Sequence, residues 1–246
     1  MNITVVITYY QRQEQLIKTL ASLDRADANF SVVIVDDASE KDIEIGMYNF
    51  PVHIIKLQDK TWTNCSVAWN TGFKYALKEH PDAIIMQSAE CFHAGNIFDY
   101  TETYLTDKNY ISFGCYSLAE NDTLPPQTMN QRPARVDGDS AWYNHPIYRP
   151  AAYHFCTAIT TENLQKLNGM DERFAFGVGY EDNMFVKQVQ NLGLKIEITS
   201  HPFVFHQYHY NGTSHDPALI KRNADLWAAL AYTKEFKAKH TVTPDL

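Results

Sequence analysis

The chain has 246 residues, 45% hydrophobic and 13% aromatic, with a formal net charge of −8 and no basic block. That length and apolar content fit one large α/β domain, or a domain with a C-terminal appendage, and exclude disorder of the whole chain. The acidic balance argues against a nucleic-acid groove or a polybasic membrane face.

The first half alternates strand and helix signals. ITVVITYY (3–10) is β-branched and apolar enough to be buried on both faces of a sheet, and QEQLIKTLASL (13–23) spaces Leu16, Leu20 and Leu23 as a helix does. FSVVIVDD (30–37) and HIIKL (53–57) read as further strands, NCSVAWNTGFKYALKE (64–79) as a helix capped by Asn64, and AIIMQ (83–87) as a fourth strand. Alternation of this kind predicts βαβ units and a mostly parallel sheet with helices on its faces. Ligands bind such sheets beyond the carboxyl ends of the strands, which draws attention to Asp36, Asp37 and the QSAE stretch at 87–90.

After a strand at 110–117 the periodicity dissolves into a proline-rich, aromatic stretch over 119–150, long enough to be a lid or a binding loop. Order returns with CTAITTENLQKL (156–167), a turn around Gly177 and Gly179, and an amphipathic helix from Glu181 that Gly193 stops. Closing strands are expected at 195–199 and 203–210, and a last helix rich in Ala, Leu and Lys over 216–240.

Cys65, Cys91, Cys115 and Cys156 form no Cys-x-x-Cys pair, against structural zinc and a compact disulfide scaffold. MNITVVITYY has no basic n-region, and no apolar run approaches the roughly 20 residues of a membrane helix. A soluble cytoplasmic protein is expected, so the NCS, NDT and NGT triplets carry little weight as glycosylation sites.

Two adjacent acids, Glu181 and Asp182, open the helix in FGVGYEDNMF. One explanation is capping, because carboxylates meet unpaired N–H groups and the positive end of the helix dipole. The other is a catalytic carboxylate kept ionised by that same dipole. Capping needs only one acid and no glycine turn, which favours catalysis.

VVITYYQR, VIVDDAS, WNTGFKYA, QSAE and GVGYEDNMF occur in an order and at spacings that resemble family-2-like glycosyltransferases of the GT-A fold, over most of residues 1–210. The resemblance implies an α/β domain over 1–215 with a C-terminal helical extension at 216–246. Within the domain, 1–118 would be a nucleotide-sugar-binding half, 119–155 the long loop and 156–215 an acceptor and catalytic half. It implies a nucleotide site from Thr8, Tyr9, Arg12, Asn70, Gly72, Gln87 and one of the strand-end acids, Asp37 ahead of Asp36. Relatives carry Asp-x-Asp where this chain has Gln87 and Glu90, so the resemblance implies a variant site for Mn²⁺ or Mg²⁺. Glu90 would ligate with a late-loop histidine, His206 ahead of His209. Their i, i+3 spacing puts them on opposite faces of a strand, and His215 is a bystander. The resemblance makes Asp182 the general base, Glu181 an acceptor-binding acid, and the glycine turn a place of close approach to the donor sugar.

Trp142, Tyr143, Tyr148 and Tyr153, in or beside the long loop, could stack on an acceptor sugar or anchor the loop; Trp62 could equally be core. The implied activity is inverting transfer from a nucleotide sugar, most naturally a UDP-sugar, to a glycan, lipid-linked glycan or glycoconjugate, with transient docking at a membrane rather than an integral segment. A catalytically inactive nucleotide-sugar or glycan-binding relative is the alternative. A nucleotidyltransferase would want a glycine-rich basic loop that TYYQRQEQ does not provide.

Overall fold

The unalternating apolar run at the N-terminus becomes β1 (Ile3–Tyr9), and it lies inside the sheet, where a strand buried on both faces belongs. The structure, a computed structural model, describes residues 1–24, 26, 28–136, 138–210 and 216–246. β1 pairs in parallel with β2 (Phe30–Asp36) on one edge and with β4 (Ala83–Ser88) on the other, and β2 pairs in parallel with β3 (Val52–Lys56). The register puts Tyr9, Asp36, Lys56 and Ser88 at one end of this half-sheet.

Beyond β4 the sheet becomes mixed. β8 (Cys156–Thr160) is antiparallel to β4, β6 (Asn109–Ser117) is antiparallel to β8, and β9 (Lys195–His206) is parallel to β6. β5 (Cys91–Ala94) closes that edge against β9, and β7 (Ala141–Asn144), inside the long loop, pairs with β6. The order is β3-β2-β1-β4-β8-β6-β9-β5.

Helices cover both faces. α1 (Gln13–Leu23) buries Leu16, Leu20 and Leu23 completely, in one core with Ile3, Val5 and Ile7 and with Phe98 of α3 (Ile97–Tyr104). On the other face α2 (Ser66–Ala76) buries Trp69, Phe73 and Ala76 at the same i, i+4, i+7 spacing, beside α4 (Thr161–Leu167) and α5 (Glu181–Asn191). Burying a side chain such as Phe73 contributes about 2–3 kcal/mol. Asn64 does contribute at the head of α2, its Oδ1 accepting from Ser66 N at 3.0 Å.

Three expectations change. The two closing strands are one, β9, whose pairing with β6 jumps from Thr199 to Phe203 and which ends at His206. The last helix, α6 (Pro217–Leu230), stops well short of 240. Helix-forming composition yields there to a buried charge, because the tail supplies N–H groups of Thr241, Val242 and Thr243 to the fully buried Glu172. Third, the long loop is not structureless. Arg132 grips Asp139 through two bonds of 2.7 Å, and Asn130 N donates to Tyr116 Oη at 2.7 Å.

Candidate active site

Thr8, Tyr9, Tyr10, Arg12, Asp37, Cys65, Ser88 and Glu90 line a cleft of about 210 Å³ at the carboxyl end of the parallel strands. The strand-end acids divide their work. Asp36 is 1% exposed and its Oδ1 accepts from Ser39 N at 2.9 Å, which builds the turn. Asp37 lines the cleft, with Trp62 Nε1 donating to Oδ1 and Lys60 Nζ to Oδ2, both at 2.7 Å. Lys60 also lies 4.8 Å from the centre of the Tyr10 ring. A larger depression of about 500 Å³ lies beside Tyr9, but three acids, Glu40, Asp42 and Glu44, outnumber Lys41 in its lining and disfavour a diphosphate there.

Three residues assigned to the nucleotide by resemblance face the interior instead. Asn70, 0% exposed, donates to Met170 O and to Glu172 and accepts from Met170 N. Gly72 packs α2 on the sheet, where a Cβ would collide with Val6 and crowd Val35. Gln87, also 0% exposed, donates to Cys91 O at 2.9 Å and meets His93 Nε2 through Oε1 at 2.7 Å. These side chains stabilise the walls of the cleft and offer it no surface.

Glu90 follows β4, with its carboxylate between two imidazoles. Its Oε1 lies 3.3 Å from His206 Nε2 and 3.5 Å from His209 Nε2, and one ligand atom from each residue falls within 4.8 Å of the others. The strand rule that separates an i, i+3 pair does not apply, because β9 ends at His206 and the chain turns before His209. Burial by itself would raise the Glu90 carboxyl, but contact with His206 and then His209 outweighs it and holds the group well below the carboxylate range. Gln207 N and Nε2 both donate to Glu90 O, locking the turn that presents the carboxylate, while Nε2 also reaches Thr19 of α1. His209 Nδ1 is buried with no hydrogen-bond partner among the described residues. One hard oxygen and two converging nitrogens fit a divalent transition metal, and Mn²⁺ better than Mg²⁺.

The head of α5 stands beside the cleft, next to Asn64 and Cys65, and is taken as its second wall. The chain enters it through Gly179 and Tyr180, both left-handed at φ 72° and 69°, a conformation that costs a non-glycine residue roughly 1–2 kcal/mol. Tyr180, the N-cap residue, makes no side-chain cap bond. The close approach at Gly177 comes from α6, since a Cβ there would collide with Asn223 Oδ1; the space around Gly179 is open. Asn223 is fully buried and pins the turn by donating to Phe174 O at 2.9 Å and Gly179 O at 2.8 Å.

The two acids then diverge. Burial, and next the charge of Asp182, push the Glu181 carboxyl up to about 7, while Asn64 Nδ2 donates to its Oε2 at 3.3 Å. Burial acts on Asp182 in the same direction, but His154 overrides it and lowers that carboxyl. His154 Nδ1 lies 2.6 Å from Asp182 Oδ1, an ion-pair contact rather than an aligned hydrogen bond, and the Asp182 side chain keeps 28% of its exposure. Cys65 joins the two walls: it lines the cleft with Glu90, and Glu181, Asp37 and Asp182 all act on its thiol, which burial raises first.

Trp142 and Tyr143 are 6% and 7% exposed and belong to packing. Trp142 stacks among Tyr116, His145, Tyr148 and Phe203, and Tyr143 meets His206 edge-on at 5.2 Å. Tyr153 is half-buried beside the acids, its hydroxyl accepting from Asn183 Nδ2 at 3.0 Å. His215 lies outside the described residues. His154, Lys60, Gln207 and Asn223 were not singled out by the sequence; Asn64, read there as a helix cap, also reaches Glu181, and Trp62, left open there, is bound to Asp37.

A parallel half-sheet ending at a cleft, followed by a mixed half with a helix-borne carboxylate pair, is the architecture of the GT-A fold. Residues 4–145 match the model for glycosyl transferase family 2, and residues 148–211 match a model described as the N-terminal domain of galactosyltransferase. The first match covers more than half of the chain, which belongs to glycosyl transferase family 2. Curated proteins compared by sequence gave no match. Among solved structures the chain is similar to S. aureus TarS 1-349 in complex with UDP-GlcNAc, at 14% identity and a TM-score of 0.61 over 87% of this chain and 60% of that one. The complex with UDP gives 15% identity and a TM-score of 0.59 over 85% and 61%. Against the longer TarS chain the match again covers 85% of this protein but only 37% of the other, with a TM-score of 0.57 and 15% identity. The likeness at this identity shows the fold. Among the described residues, no helix is long and apolar enough to cross a membrane.

Proposed function

We propose that this chain transfers a sugar, with inversion, from a uridine-diphosphate donor to a hydroxyl of a glycan or glycoconjugate. One observation carries the reading: Asp37, Glu90 and Cys65 line one cleft, and the Glu181–Asp182 pair stands close enough to act on that same Cys65. The choice of uridine draws support from the complexes of the similar TarS structures with UDP and UDP-GlcNAc. Asp37 and its Lys60 and Trp62 partners lie where they can meet the base or ribose, and Arg12 stands at the same rim. Glu90, His206 and His209 would hold Mn²⁺, whose charge would neutralise the diphosphate.

The acceptor hydroxyl attacks the anomeric carbon from the face opposite the diphosphate. As that C–O bond forms and the sugar–phosphate bond breaks, Asp182 takes the hydroxyl proton. Its Oδ1 is engaged by His154, which leaves Oδ2 for the acceptor. Glu181, poised near 7, can donate or accept a hydrogen bond to a sugar hydroxyl.

A binding-only relative is the second reading, favoured by Gln87, which stands where relatives carry an acid and is spent on Cys91 and His93. Thermal shifts with UDP, GDP, CMP and dTDP, each with and without Mn²⁺, test the donor site common to both readings. UDP should stabilise the protein most, and more so with Mn²⁺; no shift with any nucleotide would sink the donor assignment. Turnover of UDP-GlcNAc then separates enzyme from binder.

A further inference from the structure

We infer that His154 is the second member of the catalytic base, a positioning residue that fixes the Asp182 carboxylate and receives the proton Asp182 removes from the acceptor. The inference rests on the transferase reading above.

The geometry restricts Asp182 to one arrangement. His154 approaches Oδ1 twice, with Nδ1 at 2.6 Å and its own backbone N–H at 3.3 Å. The imidazole is 7% exposed and held edge-on between Trp69 of α2 at 5.3 Å and Phe185 of α5 at 6.4 Å. Its Nδ1 makes no hydrogen bond among the described residues, and its ion-pair contact is to Asp182 Oδ1. A buried histidine with aromatic walls and a carboxylate oxygen 2.6 Å from its Nδ1 is suited to exchanging a proton with that carboxylate.

The charges around the ring set the direction of transfer. Asp182 and Glu181 face it from α5, and Arg149, earlier in its own segment, acts on Asp182. Tyr110 on β6 and Cys65 ahead of α2 are the other titratable groups coupled to this acid pair. Burial alone would drive the imidazole to its neutral form, yet the two carboxylates outweigh burial and raise it above its ordinary value of 6.5.

The competent state before transfer is therefore ionised Asp182 beside neutral His154, because an imidazolium at 2.6 Å would leave the carboxylate too weak a base. During the reaction the acceptor O–H bond breaks, its oxygen bonds to the anomeric carbon, and the diphosphate leaves with the electron pair of the broken C–O bond. Asp182 takes the proton on Oδ2, its carboxyl turns, and the proton passes to the unprotonated Nδ1 of His154; the ion pair that results, with the 2.6 Å contact, keeps the carboxylate charged. Proton release from His154 resets the site.

Two measurements on the full chain test this. An NMR titration of His154 should show a midpoint above 6.5 that falls in Asp182→Asn; a midpoint unmoved by that change overturns the pairing. Hydrolysis of UDP-GlcNAc, with water as the acceptor, should rise about tenfold per pH unit below the His154 midpoint and then level off. His154→Gln should lower the plateau ~10²-fold and move the rising limb into the carboxylate range, with UDP affinity unchanged. Retention of the wild-type limb in a folded His154→Gln protein would overturn the proton role. No hydrolysis by the wild type at any pH would count against the transferase reading, and with it the proton-transfer role, whereas the NMR titration would still decide the pairing.

Discussion

Glu90 lines the cleft and Glu181 stands beside it near Cys65, and the surroundings of these two glutamates drive them in opposite directions. Two imidazoles close on Glu90 and hold it ionised well below the carboxylate range; Glu181 has a carboxylate next door and is driven up to about 7. Residue type therefore assigns neither role. Glu90 stays an anion, as the proposed ligand role requires, whereas Glu181 is driven toward its protonated form and leaves its neighbour Asp182 as the ionised member of the pair. The first wall suits a cation and a diphosphate, and the second suits a hydroxyl that is losing its proton.

That contrast predicts a hierarchy of effects. Asp182→Asn should lower turnover of UDP-GlcNAc by ~10³-fold while UDP affinity stays within about twofold, read by steady-state kinetics and calorimetry. Equal loss of affinity would mean that the two walls are not separate. Gly72→Val leaves both walls intact but wedges α2 off β1 and β2. It should cost about 1–3 kcal/mol, visible as a Tm lower by several degrees with the metal site unaltered.

Glu181→Gln should give the smallest effect, and one with a definite sign. The folded-state value of about 7 lies above the ordinary 4.5, so the stability Glu181 contributes is complete below 4.5 and lost as pH rises through 7. The glutamine variant should match the wild-type Tm near pH 4.5 and exceed it by about 2–5 °C at pH 8. A difference independent of pH would show that the pair does not share its charge in this way.

The elements that the sequence made legible are those whose local signal agrees with their packing. Leu16, Leu20 and Leu23 define α1 because their spacing is the buried face, and β1 reads as interior because it does not alternate. The acids at 36–37 and 181–182 were legible as strand-end and helix-start charges. His154 was not, since it lies in RPAAYHF, a stretch without period whose partner is 28 positions away. Gln87 and Asn70 misled for the reverse reason: polar residues within motif-like segments suggested a ligand, but their side chains satisfy buried backbone and buried Glu172. Composition extended the last helix past Leu230 because the demand of Glu172 for N–H groups is a tertiary fact.

The most direct test of the two-walled cleft is a calorimetric titration of UDP into the wild type and Glu90→Gln, each with and without Mn²⁺. We expect Mn²⁺ to tighten UDP binding to the wild type by about 10–100-fold and to leave the Glu90→Gln protein almost unaffected. Metal-independent binding by the wild type, or equal tightening in the variant, would contradict the assignment of Glu90, His206 and His209 to the donor diphosphate.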